Sequence, residues 1–433
     1  MIRTLRSEPP FAELRALMRA ASTDDPQLRA DVAAILAGVV AGGDEALLDY
    51  TARFDRLQVT TVADLRIGAE ETAMAAEALD PELLASLRRA AEQIRVFHQR
   101  QAETGFVDRF PDGTLLGQRV MPLRRVGVYV PGGRAAYPSS VLMNVMPAQV
   151  AGVEEIVMVS PAPGGQMDPA VLAAAHVAGV TEILRVGGAQ AIAALAYGTE
   201  SIERVDKIVG PGNRWVAEAK RQVFGVVDID MLAGPSEILV IADASADPRQ
   251  VAADLIGQAE HDPDAIAWLV TDSPELAGLV PAEMEALLLA NPRRDIARAA
   301  LEMNGLILIV PDLAAAAEAA DLRAPEHLEL LVRHPMELAD RIRNAGAIFL
   351  GAFSPEPIGD YFAGPNHVLP TGGTARWASP LGVYDFVKRT SLIGYSEERL
   401  HAHADDVIRL AEAEGLHGHA EAVRVRIRNG DSI

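Results

Sequence analysis

The run Val126-Gly127-Val128-Tyr129-Val130-Pro131-Gly132-Gly133 decides the fold of this chain. An apolar stretch of this length, closed by a Pro-Gly-Gly corner, reads as a short strand buried on both faces. A helix follows, capped near Ser139 or Ser140 and ending by Gly152. The pattern then recurs. Glu155 to Val159 is a strand, Pro161-Ala162-Pro163-Gly164-Gly165 a turn, and Asp168-Pro169 opens a helix that stops at Gly179. Glu182 to Val186 is followed by Gly187-Gly188 and a helix through Tyr197. Asp206 to Val209 is followed by Gly210-Pro211-Gly212-Asn213 and a further helix. Strands alternating with helices in this way predict a parallel sheet covered on both faces.

A second alternation lies C-terminal to the first. Strands are expected at Glu237 to Ala242, Ala265 to Val270, Leu306 to Val310, Leu328 to Val332 and Ala347 to Leu350, with a helix from Asp247 to Glu260. The fold class is therefore α/β, with two Rossmann-like parallel-sheet units that lack the G-x-G-x-x-G fingerprint. Both ends read as helical extensions. Thr23-Asp24-Asp25 caps a helix through Ala37, a second helix fits Asp44 to Phe54, and Asp80-Pro81 opens a third that runs to about Gln101. From Leu381 onward the tail reads as mostly helical and polar.

Composition narrows the function classes. The 433 residues are 49% hydrophobic and 23% charged, an ordinary balance for a soluble protein of two or three domains. Sixty acidic side chains against 39 basic ones leave a net charge of −21, which repels nucleic acid and anionic membrane. The absence of cysteine excludes disulfides, thiolate zinc sites and a cysteine nucleophile. The N-terminus has no apolar core of signal-peptide length, and no stretch is apolar enough to span a membrane, so a cytoplasmic protein is expected.

Three glycine-rich corners would lie at the carboxyl edge of a parallel sheet, where ligands bind. Turn chemistry explains any one of them. Together with Tyr129, Gln190 and Asn213, the three point toward a bound cofactor. Of ten histidines, most read as surface or packing residues. His261 differs, because Gln258 lies three residues before it on one helix face and makes a possible metal-ligand pair. Asp360 lies in a loop close to Asn366-His367, and His417 and His419 stand two apart near the C-terminus. Without thiolates, a zinc site here would use N and O donors, the pattern of a catalytic zinc. Pro325-Glu326-His327 places a carboxylate and an imidazole side by side after a proline. Both can face one cleft as an acid–base pair, or they are a helix-end histidine with a solvated glutamate.

These motifs, with Val186-Gly187-Gly188-Ala189-Gln190-Ala191-Ile192, Ala233-Gly234-Pro235-Ser236-Glu237, Gln258-Ala259-Glu260-His261, Ala324-Pro325-Glu326-His327-Leu328 and Gly364-Pro365-Asn366-His367-Val368-Leu369-Pro370-Thr371, resemble histidinol dehydrogenases over nearly the whole chain. The resemblance implies oxidation of L-histidinol to L-histidine by way of L-histidinal, with two NAD and one Zn2+ per subunit, as the last step of histidine biosynthesis. It implies Gln258, His261, Asp360 and His419 as zinc ligands and Glu326 and His327 as the catalytic pair. Tyr129, Gln190 and Asn213 fall where the family contacts NAD. Ser236, His367 and Glu414 fall where it contacts substrate, as do His327 and the four metal ligands. It also implies a homodimer with shared active sites, in which the C-terminal part completes the partner's site, and neither nucleic acid nor membrane as partner. His417 takes no role in it. The domain layout it implies is 24–128 plus 238–380 for one α/β domain, 129–237 for the second on the NAD side, and extensions over 1–23 and 381–433. Relatives that oxidise other small alcohols, such as sulfonated diols, share the zinc and Glu-His core; His367 and Glu414 follow the histidinol pattern.

Overall fold

A computed structural model describes residues 2–20, 25–132 and 136–427. The chain divides into two compact units, Met1–Gln101 with Leu123–Phe386, and Ala102–Pro122 with Val387–Ile433.

The first unit contains two six-stranded sheets. In one, the strands run in the order Arg3–Arg6, Leu306–Ile309, Ile266–Thr271, Glu237–Ala242, His327–Leu331 and Ala347–Leu350, all parallel. In the other the order is Arg66–Ile67, Glu182–Leu184, Glu155–Val159, Arg125–Tyr129, Lys207–Val209 and Asp228–Ile229; only the Arg66 strand is antiparallel. The central strands are buried at every position, which is why they read as continuous apolar runs rather than as alternation. Helix starts follow the Asp-Pro signal. Asp80, Asp168 and Asp247 each accept a backbone N–H from the first turn, at 2.8 to 2.9 Å, ahead of a proline. Each such cap stabilises its helix by about 1 kcal/mol.

Several expectations are revised. Residues 3–6 form an edge strand rather than part of a helix. Its sequence is largely exposed and carries no apolar alternation; only pairing with Leu306–Ile309 makes it a strand. The helix Ala12–Ala20 follows it. The two helices expected before residue 55 are present within Pro26–Phe54, separated by the non-helical Gly43 (φ 52°, ψ −132°), and the first runs on past Ala37. Asp25 caps it, and Thr23 and Asp24 lie outside the described residues. Gly133 of the first corner also lies outside them.

The expected domain layout is revised as well. Its 128/129 boundary cuts the strand Arg125–Tyr129. The segment grouped with 238–380 packs instead on the other sheet. Arg66–Ile67 pairs with Ile183 and Leu184, and Val32, Leu36 and Leu47 share a core with Leu184, Ile192 and Val216. Leu381 and Phe386 are buried in the first unit, so the tail begins later than residue 381.

The second unit holds a three-stranded antiparallel sheet, Val387–Gly394 beside Leu115–Pro122 beside Phe106–Arg109, and the helices Glu397–Ala413 and His417–Ile427. The strand Val387–Gly394 lies where a helical tail was expected. Its partner comes from far upstream, so local sequence did not announce it.

One corner of the second sheet is held by a buried ion pair. Lys220 donates to the Gly210 carbonyl at 3.0 Å and pairs with Asp230, while Asp230 accepts the Gly210 N–H at 2.7 Å. Gly210 itself has φ 108°, and a side chain there would strike the Tyr129 carbonyl. Both charged side chains are at least 98% buried. Lys220→Met would leave Asp230 charged and unpaired, and should cost about 3–5 kcal/mol in urea unfolding. A loss below about 1 kcal/mol would show that the pair does not hold the corner.

Candidate active site

The strand His327–Leu331 lies between Glu237–Ala242 and Ala347–Leu350 in the first sheet. His327 and Glu237 are the first residues of their strands, so the site forms at the amino edge of this sheet. The helix Pro248–Ala259 runs back to that edge and brings Gln258 there as a buried residue. The short helix Glu356–Tyr361 brings Glu356 and Asp360, one turn apart on one face. A cavity of about 570 Å³ opens here, lined among others by Phe97, His327, Phe349, Asp360, His367 and Tyr384.

The backbone of Glu237 holds both Glu326 and His327. Its N–H donates to Glu326 Oε2 at 2.8 Å, and its carbonyl lies 3.1 Å from His327 Nδ1. Gln258 Oε1 also lies 3.1 Å from Nδ1. Two oxygen acceptors at Nδ1 place a proton there and leave Nε2 as the basic nitrogen of the neutral ring. That Nε2 has no hydrogen-bond partner, and it lies 3.7 Å from Asp360 Oδ1 and 3.9 Å from Glu356 Oε1. Glu237 is fixed in turn by a buried ion pair with Arg323 and by the Gly372 N–H, 2.8 Å from its Oε1. Burial lowers Arg323 to about 10.

The charges are strongly coupled. Burial pushes Glu326 up to about 7, against the pull of His327. Burial alone would discharge His327, but Glu326, Asp360 and Glu356 outweigh it and hold the imidazole at about 9. Burial and the neighbouring Asp360 raise Glu356. Burial would also raise Asp360, yet the His327 imidazole, 3.7 Å away, and the proximity of His367 keep it ionised well below the usual range. His367 Nδ1 lies 3.0 Å from the Asp360 carbonyl, and burial lowers its affinity for a proton.

The structure therefore gathers Gln258, Glu326, His327, Asp360 and His367 at one edge, with Ser236 directly before the strand that Glu237 opens. Glu326 is buried at the strand start, so the reading of a solvated helix-end pair is set aside. His261 follows Gln258 within electrostatic reach of Asp360 and His327, and the protein packed around its imidazole lowers its affinity for a proton. Among the described residues, His327, Glu356 and Asp360 offer ligand atoms within 4.8 Å of one another. Glu356 was missed by sequence reasoning; its signal was the four-residue spacing to Asp360. Glu414 and His419 belong to the second unit, where both are exposed.

The three corners sit at the carboxyl edge of the second sheet, as expected. Their singled-out side chains are engaged within the protein. Tyr129 is buried, and its hydroxyl accepts the Gly188 N–H at 3.3 Å. Gln190 is buried and donates to Asp55 at 3.3 Å. Asn213 caps the helix Arg214–Val223 through the N–H groups of Trp215 and Val216. Asp55, which also accepts the Gly187 N–H at 3.0 Å, was not legible in sequence. A cavity of about 530 Å³ lies at the same edge, lined by Pro131, Gly132, Ser160, Pro161, Gln166 and Asp168 among others, and not by Tyr129, Gln190 or Asn213.

Comparison with known proteins decides the family. The profile described as histidinol dehydrogenase matches residues 18–427. The histidinol dehydrogenase of Chromobacterium violaceum is 52% identical over 431 residues, 99% of both chains. That of Geobacillus kaustophilus is 54% identical over 417 residues, 96% of this chain and 98% of the other. The chain belongs to the histidinol dehydrogenase family. A crystal structure of histidinol dehydrogenase from Elizabethkingia anophelis superposes with a TM-score of 0.93 at 35% identity, covering 100% of this chain and 99% of that one. Membership in the histidinol dehydrogenase family makes the protein an oxidoreductase. Among the described residues, no helix is long and apolar enough to cross a membrane.

Proposed function

We propose that this chain oxidises L-histidinol to L-histidine through L-histidinal, with zinc bound and two NAD consumed, as the last step of histidine biosynthesis. The observation that carries the reading is the edge site itself, in a chain of this family. A buried imidazole with its tautomer set and its Nε2 free stands beside a buried carboxyl and an ionised Asp360.

The residues fit a zinc ion. Beside the Asp360 carboxylate, His327 Nε2 and Glu356 Oε1 are both buried without a hydrogen-bond partner, while Gln258 would offer a cation its amide oxygen and His261 its imidazole. Leaving such atoms unsatisfied costs about 1–3 kcal/mol each unless a ligand completes them. The donors are amide, imidazole and carboxylate, a set that zinc accepts. Gln258, His261, Asp360 and His419 would hold the ion, with His419 and the substrate-binding Glu414 contributed by a second copy of the chain in a homodimer. Bound zinc supplies a positive centre that orients the nitrogen atoms of the substrate. NAD supplies the hydride acceptor for each of the two oxidations, bound at the carboxyl edge of the second sheet near Tyr129, Gln190 and Asn213.

The chain's own groups move the protons. His327 Nε2 takes the alcohol proton in the first oxidation. Glu326 then takes a proton from water as it adds to the aldehyde. His327 accepts the proton of the hydrate in the second oxidation. With no cysteine in the chain, aldehyde oxidation cannot pass through a thiohemiacetal, so hydration is the available route. Glu326, Asp360 and Glu356 keep the proton on His327 in the free chain. Base action at neutral pH therefore requires their charge to be offset in the complex, as a cation held by Asp360 would do. Ser236 and His367 would contact the substrate. We place the enzyme in the cytoplasm.

The test is the yield of NADH per L-histidinol, with enzyme in catalytic amount and NAD in excess, with and without a chelator. Two NADH per substrate, lost on chelation and restored by zinc, is the expected result. One NADH would overturn the four-electron assignment. None from zinc-loaded protein would point to another small alcohol.

A further inference from the structure

Behind the site lies a buried carboxyl that the proposed chemistry does not use. Glu329 is two residues beyond His327 on the same face of the same strand, and it is fully buried. Its Oε1 accepts the backbone N–H of Glu356 at 2.6 Å. Glu356 is the first residue of the helix that carries Asp360, and Pro355 at the cap position offers that helix no side-chain acceptor. Glu329 therefore caps the helix from a neighbouring strand.

The other side of Glu329 faces the Asp254 carboxyl, and its Oε2 is buried without a hydrogen-bond partner among the described residues, so a proton is needed between the two acids. Two carboxyls can bond only by sharing one proton. Burial raises the proton affinity of both acids, and the adjacent Asp254 adds to it at Glu329, so the pair keeps a proton between them. Asp254 lies one turn before Gln258 on the helix Pro248–Ala259. One side chain thus touches all three elements that bear His327, Gln258 and Asp360. An apolar residue of the same size would avoid burying two acids at no loss of packing.

We propose that Glu329 is a positioning residue, a joint that holds the Gln258 helix and the Asp360 helix in register with His327 so that the metal ligands converge. The proposal rests on the zinc-dependent reading above. Its readout is zinc affinity of the full chain, measured by competition with a chromophoric chelator in the absence of substrate and NAD.

Glu329→Gln keeps an oxygen for the Glu356 N–H and an N–H for Asp254, and should bind zinc within about threefold of the parent. Glu329→Leu removes both contacts and should weaken zinc about 10–100-fold, the usual effect of losing a partner that orients a ligand. Thermal melts of both variants separate loss of fold from loss of register. A folded Glu329→Leu that binds zinc like the parent overturns the proposal, and so does a Glu329→Gln that is as weak as the leucine variant. Should the leucine variant not fold, Asp254→Ala carries the test: a drop in zinc affinity supports the joint, and an unchanged affinity overturns it. Parent protein that binds no zinc would overturn the functional reading itself, and the joint with it.

Discussion

Replacing His327 by asparagine should lower turnover on L-histidinol by about 10²–10⁴-fold while leaving zinc content unchanged, the loss expected when a general base is removed. Asparagine retains a donor for the Glu237 carbonyl and Gln258 Oε1, the two groups that now flank Nδ1, and removes only the basic Nε2. In the proposed mechanism both oxidations use that nitrogen, so both should slow, with L-histidinol and with L-histidinal as starting substrate. The companion Glu326→Gln should separate the steps. Its amide can still accept the Glu237 N–H but cannot take a proton from water. Oxidation starting from the aldehyde should fall by a similar factor, while NADH formation in the first half-reaction persists. If Glu326→Gln spares aldehyde oxidation, its assigned role is wrong. If His327→Asn retains full turnover, the base lies elsewhere.

Asp360→Asn should release the metal. Asp360 is the carboxylate that stays ionised in a group where Glu356 is pushed toward its neutral form. It therefore carries most of the charge that a cation would meet. Removing that charge should reduce zinc affinity by more than about 100-fold, beyond what the loss of a supporting contact does. Zinc content after dialysis, followed by metal analysis, reads this directly. Glu356→Gln is the control and should keep its zinc. The reverse pattern, zinc kept by Asp360→Asn and lost by Glu356→Gln, would replace the proposed ligand set with His327, Glu356 and a third donor.

Much of this site was legible in the chain as written. Asp-Pro pairs announced helix starts because a short carboxylate and a fixed φ act locally, within one turn. Glu326 and His327 were marked as a pair because a proline turn precedes them, and Gln258 because of its spacing from His261. What escaped was non-local. Asp55 meets Gly187 across 132 residues, and Glu326 meets the Glu237 N–H across 89. The strand Val387–Gly394 pairs with Leu115–Pro122, and nothing within either segment records the other.

The sequence by itself determined the alternation of strands and helices, the positions of the Asp-Pro helix starts, the exclusion of thiol chemistry and the family to which the chain belongs. Those follow from apolar periodicity, capping and residue identity, all of which act over a few neighbours. Tertiary structure alone decided that Glu326 and His327 sit at the amino edge of their sheet, that residues 26–99 pack on the other sheet, and that Glu356 and Glu329 stand beside Asp360 and His327. The reason is burial. Which carboxyl keeps its proton, and which nitrogen is left free, depends on water being excluded by elements far apart in the chain.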